Sequence, residues 1–295
     1  RAARAPRNAA STWRVHSYTG LSRQIDSVLE DSIDTTPGFA DDDVSAPAPE
    51  PADELTRYSF PRGPRPGIML HLLLESAGTG TPLDTACEQM LARFGLGEAW
   101  QTPLEDWMTE VLRTPLGRAG TALANLQPDA SGGAPRSAHE LEFHFPLATA
   151  NAARITEVCA EYGYLTDSRL SAGPLQGAMT GTIDLVFGHA GLFFFADYKS
   201  NHLGDSPEAY GRDALATAIR EHHYDLQYLV YTVALDRHLR RTVDGYSYEA
   251  CFGGAAYLFL RGMHADVTDS GVFWDKPPQA LIERLDVLLA AGAAS

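Results

Sequence analysis

Two runs of strand-forming residues, 177–187 (GAMTGTIDLVF) and 192–199 (LFFFADYK), are separated by only Gly188-His189-Ala190-Gly191. A glycine-bounded connection this short joins neighbouring antiparallel strands, so the pair is predicted to form a β-hairpin. With Phe187 set opposite Leu192, Asp184 faces Phe195 and Thr182 faces Asp197. Side chains alternate along a strand, so Asp184, Asp197 and Lys199 are expected on one face. In that register the two aspartates are diagonal neighbours, about 7–8 Å apart at the backbone. A slip by one residue would move one of them to the other face.

The pattern around the hairpin predicts an α/β fold. Residues 66–77 (PGIMLHLLLESA) read as a helix, with Pro66 suited to its first turn, and 83–94 and 104–113 read as two more. Residues 139–147 (HELEFHFPL) alternate as a strand does, and 152–162 read as a helix. A long helical stretch over 207–241 precedes a strand at 254–261 (GAAYLFLR), and an amphipathic helix over 278–291 closes the chain. That long stretch can serve as a crossover, which makes the strands at 192–199 and 254–261 parallel neighbours in a mixed sheet.

Upstream, 1–16 read as an exposed lead-in and 17–30 as the start of a short helix capped by Ser17 or Thr19. Residues 31–57 are acidic and rich in Pro and Ala, and are expected to be a partly disordered linker. The expected division is therefore a lead-in and linker over 1–57 and one folded domain over 58–295. The opening RAARAPRNAAS, without an initiator Met, reads as the interior of a longer protein.

Composition removes several classes of function. Cys87, Cys159 and Cys251 are too few and too far apart for a disulfide scaffold or a four-thiolate cluster, and fit a reducing cytoplasm. No apolar run approaches the roughly 18 residues that cross a bilayer, so no membrane partner is expected. The net charge of -15 argues against a simple nucleic-acid-binding module, which is usually basic. Carboxylates neutralised by a metal, or DNA delivered by another part of a larger machine, would reconcile that charge with action on DNA. The chain has no G-x-x-x-x-G-K-[ST] loop, so it is not expected to hydrolyse ATP.

Asp184 interrupts the apolar TIDLVF, and Asp197 follows LFFFA. Charges at such positions need a partner or an ion. Two carboxylates brought together repel unless something cationic lies between them, and a hard divalent cation, Mg²⁺ with Mn²⁺ as a substitute, is the natural occupant. Lys199 on the same face can orient an attacking water or stabilise charge on a phosphate. The set suits metal-assisted hydrolysis of a phosphodiester, although a structural ion pair leaves the same trace in a sequence. Taken alone, His71 reads as a buried residue of an apolar helix. Glu140 and Glu142 point to one face of their strand, with a plain exposed face as the alternative. Gln227 and Tyr231, spaced i, i+4, share a helix face and read as packing residues. His222 and His223 read as a solvated helix end, with a phosphate contact as the alternative.

Six blocks, WRVHSYTGL, PGIMLHLLLE, HELEF, GTIDLVF…FFFADYKSNHLG, YDLQYLVYTVAL and FGGAAYLFLRG, closely resemble in sequence and order the C-terminal nuclease domains of RecB-type helicase–nuclease subunits, within the PD-(D/E)XK superfamily. The resemblance runs from about Trp13 to the last helix and is weak over the acidic linker and 81–135. It implies a PD-(D/E)XK nuclease fold, with Asp184 as the first acid and Asp197-Tyr198-Lys199 as the D-x-K element. It implies His71 and the main-chain carbonyl of Tyr198 as further metal ligands. Glu140 takes a supporting or second-metal role, and Gln227 and Tyr231 form the Gln-x-x-x-Tyr motif that contacts DNA or supports the metal site.

The activity implied is a Mg²⁺-dependent deoxyribonuclease of exodeoxyribonuclease V type, acting in DNA end processing and recombinational double-strand-break repair in the bacterial cytoplasm. DNA is the implied substrate, RecC- and RecD-like subunits the implied partners, and RecA a further one. One alternative is a non-catalytic module of the same fold, serving RecA loading or subunit docking; the retained acids, Lys199 and His71 speak against it. Another is a Cas4-like stand-alone exonuclease, disfavoured because those often carry a four-cysteine cluster.

Overall fold

The computed structural model describes residues 14–17, 54–126, 137–166 and 174–290. They form a mixed six-stranded sheet with helices on both faces, which bears out the expected fold class. Its spine is β3 (Pro174–His189), and β2 (Ser137–Asn151) runs antiparallel along one edge of it. Two strands share the other edge. β1 (Arg14–Ser17) pairs parallel near the start of β3, and β4 (Leu192–Lys199) pairs antiparallel near its end. Beyond β4 lie β5 (Phe252–Phe259), parallel to it, and β6 (Val272–Asp275), antiparallel to β5.

One face is covered by α1 (Pro64–Gly78), α2 (Leu83–Phe94) and α3 (Gln101–Arg113). The other is covered by α4 (Ala152–Glu161), α5 (Arg212–Glu221), α6 (Tyr224–Thr242) and α7 (Gln279–Ala290). Because β4 is central, six of its eight residues are buried, as expected of a strand covered on both faces. Helix α1 starts with a proline in its first turn, and its buried Met69, Leu70, Leu73, Leu74 and Ala77 repeat with helical period. That stripe seats the helix on the sheet and fixes where His71 stands.

The β4–α5–α6–β5 connection is the expected crossover. It is not one helix, however. A 3₁₀ turn at Pro207–Tyr210 comes first, and the helical run breaks at His222-His223, where His223 takes the left-handed conformation (φ 52°). Strands β1 and β6 have four residues each, too few for alternation to register in sequence. β1 falls within the stretch read as an exposed lead-in except for Ser17, expected to cap a helix, which instead ends the strand; His16 of β1 is buried. Residues 18–30 of the expected helix and all but the last residues of the expected linker lie outside the described residues.

The hairpin is tighter than expected. Gly188 and His189 extend β3, and the loop is Ala190-Gly191 alone. Both have positive φ (49° and 81°), as a two-residue type I′ turn requires. The register is therefore Phe187 with Phe194 and Leu185 with Ala196, two residues away from the expected one. An even shift keeps every side chain on its face. The ladder ends at Leu185 with Ala196, one residue short of each aspartate.

Strict alternation also fails, at one rung. On β3, Met179 and Ile183 pack with the α6 layer, yet Leu185 and Phe187 pack with the α1 layer. On β2, Leu141 packs against the α6 layer, whereas His139 lies against Gly78 of α1. Pairing skips from Leu141–Ile183 to His139–Leu185, and the residues between are Glu140 and Asp184. Both strands change face there, and Glu140 has φ 50°. A non-glycine residue in that region inside a strand is strained, and the surrounding structure must hold it there.

Candidate active site

Asp184 sits at the face change, nearly buried. Its Oδ2 accepts the Tyr198 N–H at 2.8 Å and lies 3.3 Å from His71 Nδ1. The His71 ring meets the Tyr198 ring edge to face, with centroids 5.7 Å apart. Helix α1 thus clasps β3 and β4 through one imidazole.

Asp197 is 2% exposed, and its Oδ2 is 2.6 Å from Lys199 Nζ. Lys199 is itself 5% exposed. Its ammonium donates to Gln227 Oε1 at 3.2 Å and stands 4.0 Å from the Tyr224 ring centroid. Gln227 Oε1 also accepts the Tyr257 hydroxyl at 2.7 Å, and Gln227 Nε2 donates to the Tyr231 hydroxyl at 3.1 Å. Gly181 of β3 leaves room for this packing, since a Cβ there would fall 2.5 Å from the Phe143 ring and 3.3 Å from that of Tyr231.

The three acids respond differently to burial. Burial pushes the Asp184 carboxyl up, but the His71 imidazole, the Tyr198 N–H and Lys199 outweigh it, so Asp184 is held below its ordinary value. Burial pushes Asp197 up to about 7; Lys199 opposes this, and the negative charge of Asp184 adds to it. Glu140 is pushed up to about 7 by burial and by the charges of Asp184 and Glu75, with His71 opposing. The site holds more buried carboxylate than its own cations neutralise, and that is the condition a bound metal ion relieves.

Among the described residues no three His, Cys, Asp or Glu side chains are gathered closely enough to hold an ion. The donors stand instead as two pairs, His71 with Asp184 and Asp197 with Lys199. Their chemistry, two carboxylates and one imidazole, fits a hard or borderline divalent cation and not a thiolate-seeking one.

The face change in the sheet, two buried aspartates on paired strands and a lysine two residues past the second are joined by a match to a family of known chemistry: the chain belongs to the PD-(D/E)XK nuclease superfamily, whose model matches residues 50–286. It is similar to the RecBCD enzyme subunit RecB of Escherichia coli K12, at 35% identity over 287 residues, 94% of this chain and 23% of that protein. The Haemophilus influenzae subunit of the same name is 32% identical over 95% of this chain and 24% of its own length. The Mycobacterium tuberculosis one is 34% identical over 97% and 29%. The chain spans about a quarter of the length of these relatives. The RecB resemblance carried by the six sequence blocks is borne out.

Of the residues singled out in the sequence, Asp184, Asp197, Lys199, His71, Tyr198, Gln227 and Tyr231 are joined by direct contacts. Glu140 lies beside them, half-buried, but Glu142 does not share its surroundings: it is exposed, because the strand changes face between the two. His222 is not a bare helix end. Its ring stacks on Tyr224 at 5.2 Å, and its Nε2 is 3.4 Å from Asn201 Nδ2. Three neighbours went unread in the sequence: Tyr224, Tyr257 and Glu75. Tyrosines in YDLQY and AAYLF look like core, and Glu75 lies one helical turn past His71, a spacing common on any helix.

Proposed function

We propose that the chain hydrolyses DNA phosphodiester bonds as the metal-dependent nuclease domain of a RecB-type subunit. The observation that carries this is the buried Asp184–Asp197 pair, one acid held by His71 and the other by Lys199. PD-(D/E)XK nucleases are generally dependent on a divalent metal, and Mg²⁺ is the ion proposed here, with Mn²⁺ as a substitute. His71, Asp184, Asp197 and the main-chain carbonyl of Tyr198 would hold it, and Glu140 would support it or meet a second ion. Such an ion supplies Lewis acidity and lowers the pKa of water.

The chain's own residues do the rest. Asp184, held ionised, keeps a fixed negative charge at the site. Lys199 places a positive charge where a phosphoryl oxygen gains negative charge during attack. Gln227 and Tyr231 keep that lysine in place from α6. The acidic balance of the chain suits DNA brought by a larger assembly. RecC- and RecD-like subunits are the partners proposed, RecA is a further one, and the bacterial cytoplasm is the compartment. Residues 58–295 are proposed as the nuclease unit, with 1–57 leading into it.

Cleavage of linear single- and double-stranded DNA in Mg²⁺ tests this, with the wild-type chain compared to Asp197→Ala and metal binding followed by calorimetry. Cleavage that requires metal and disappears in Asp197→Ala is expected. Neither cleavage nor metal binding by the wild type would overturn the reading in favour of a non-catalytic docking module.

A further inference from the structure

We infer that Tyr257 is a positioning residue for Lys199, acting through Gln227, with the Tyr224 ring forming the second wall. The inference rests on reading Lys199 as part of a nuclease site. The chain contains only two lysines, Lys199 and Lys276, among 23 Lys and Arg residues. The one in the site is thus the flexible, point-charge type of cation in a chain that otherwise uses arginine. A lysine reaches through four rotatable bonds and keeps wide rotamer freedom. To keep its nitrogen within the ~0.5 Å tolerance of a productive geometry, it needs walls and fixed acceptors.

β5 supplies one of each. Tyr257 pairs with Asp197 across the parallel β4–β5 ladder and is fully buried. Its hydroxyl donates to Gln227 Oε1 at 2.7 Å, the same oxygen that accepts Lys199 Nζ at 3.2 Å. An amide oxygen has two lone pairs, and these two donors match them. An ammonium offers only N–H groups, so beside Lys199 the amide must present its oxygen, and its NH₂ turns to the Tyr231 hydroxyl at 3.1 Å. The Tyr257 hydroxyl is thereby committed as a donor. The faces of Tyr224 and Tyr257 stand 4.0 Å and 5.2 Å from Nζ, close enough for cation–π attraction. Tyr224 is anchored in turn by its hydroxyl, which donates to Asn201 Oδ1 at 3.1 Å, two residues past the lysine. Asp197 supplies charge to Lys199, and the tyrosine–glutamine set supplies direction.

Two readouts test this. In the metal-free 295-residue chain labelled with ¹⁵N-lysine, Lys199 should give a slowly exchanging ammonium signal, and Lys276 serves as the internal reference. Tyr257→Phe, which removes one hydroxyl, should broaden the Lys199 signal and leave that of Lys276 unchanged; Tyr224→Leu should do the same. In single-turnover cleavage with Mg²⁺, Tyr257→Phe should slow the rate constant about ten- to a hundredfold without changing half-saturation by DNA. Added to Gln227→Leu, it should cost nothing further, because both act on one contact. An unchanged Lys199 signal in Tyr257→Phe, or multiplying effects in the double variant, would overturn the proposal. A wild type that neither cleaves nor binds metal would overturn the nuclease reading instead, and the ammonium signal would still decide the role of Tyr257.

Discussion

Two cations are buried in this molecule to nearly the same degree, and they are held in opposite ways. Arg261, just past β5, is 1% exposed. Its guanidinium donates to the carbonyls of Ser200 at 2.9 Å, Phe60 at 3.1 Å and Pro61 at 3.0 Å. It ties the segment entering α1 to the residue following Lys199, and it does so with neutral dipoles in a fixed fork geometry. Lys199, the residue before the Ser200 that Arg261 binds, is held by a carboxylate that is itself pushed up to about 7, by an amide oxygen and by aromatic faces. Arg261's partners cannot change their charge, whereas one of Lys199's can. The first arrangement suits a frame, and the second suits the chemistry proposed for the site.

Substitution should separate the two. Lys199→Ala is expected to slow cleavage about 10²–10³-fold, the usual cost of removing one group that stabilises charge at a reacting centre. Its urea midpoint should also fall, because Asp197 is left buried without its cation. Arg261→Leu should spare cleavage and cost stability alone. Each buried carbonyl left without a donor costs about 1–3 kcal/mol, so a loss of at least ~3 kcal/mol in urea unfolding is expected, with cleavage per folded molecule retained. If Lys199→Ala unfolded the chain and Arg261→Leu abolished cleavage in folded protein, the contrast would be wrong.

Proton linkage sharpens the same contrast. Asp197 and Glu140 are both pushed up to about 7 in the metal-free protein, chiefly by burial. Their unfolded values lie near 4. Between those limits the folded state holds protons that the unfolded state has lost, so stability without metal should fall as pH rises from about 4 to about 7. Asp197→Asn should flatten that slope, and Arg261→Lys should leave it unchanged. Divalent metal must displace the same protons, so calorimetry should find proton release and weaker binding at pH 6 than at pH 8. A wild-type urea midpoint that does not move with pH in chelator would count against these protonation states.

Most of the frame and half of the site were legible in sequence, and the division follows physical lines. Apolar periodicity located α1, α2 and the hairpin strands, because burial of a stripe leaves a pattern over a dozen residues. The first acid and the acid of the D-x-K element stood out because charge inside TIDLVF and after LFFFA has to be compensated. The hairpin register was missed by two residues because Gly188 and His189 can pair as well as turn. Alternation predicts one face through Asp184, and no local signal in the sequence marks that β2 and β3 both change face there. Glu140 and Glu142 parted for that reason. Tyr257 and Tyr224 were invisible because a tyrosine that orients a lysine and one that fills a core have the same neighbours in sequence.

The smallest expected effect isolates strain in the frame from strain at the site. Ala190 and Glu140 share almost the same left-handed backbone, φ 49° and 50°. Ala190 occupies a two-residue turn, where Asn before Gly is the preferred pair, so Ala190→Asn should raise stability by about 1 kcal/mol. Cleavage should not change, because the turn touches none of the buried acids. Glu140→Asn relieves the same backbone angle and removes a carboxyl that Asp184 and Glu75 repel, so it too should raise stability. Its cleavage should fall, because there the strain holds a carboxyl beside Asp184. Equal cleavage in the two variants would mean that the kink at Glu140 is a feature of the sheet alone. A loss in Ala190→Asn would mean that the hairpin turn belongs to the site.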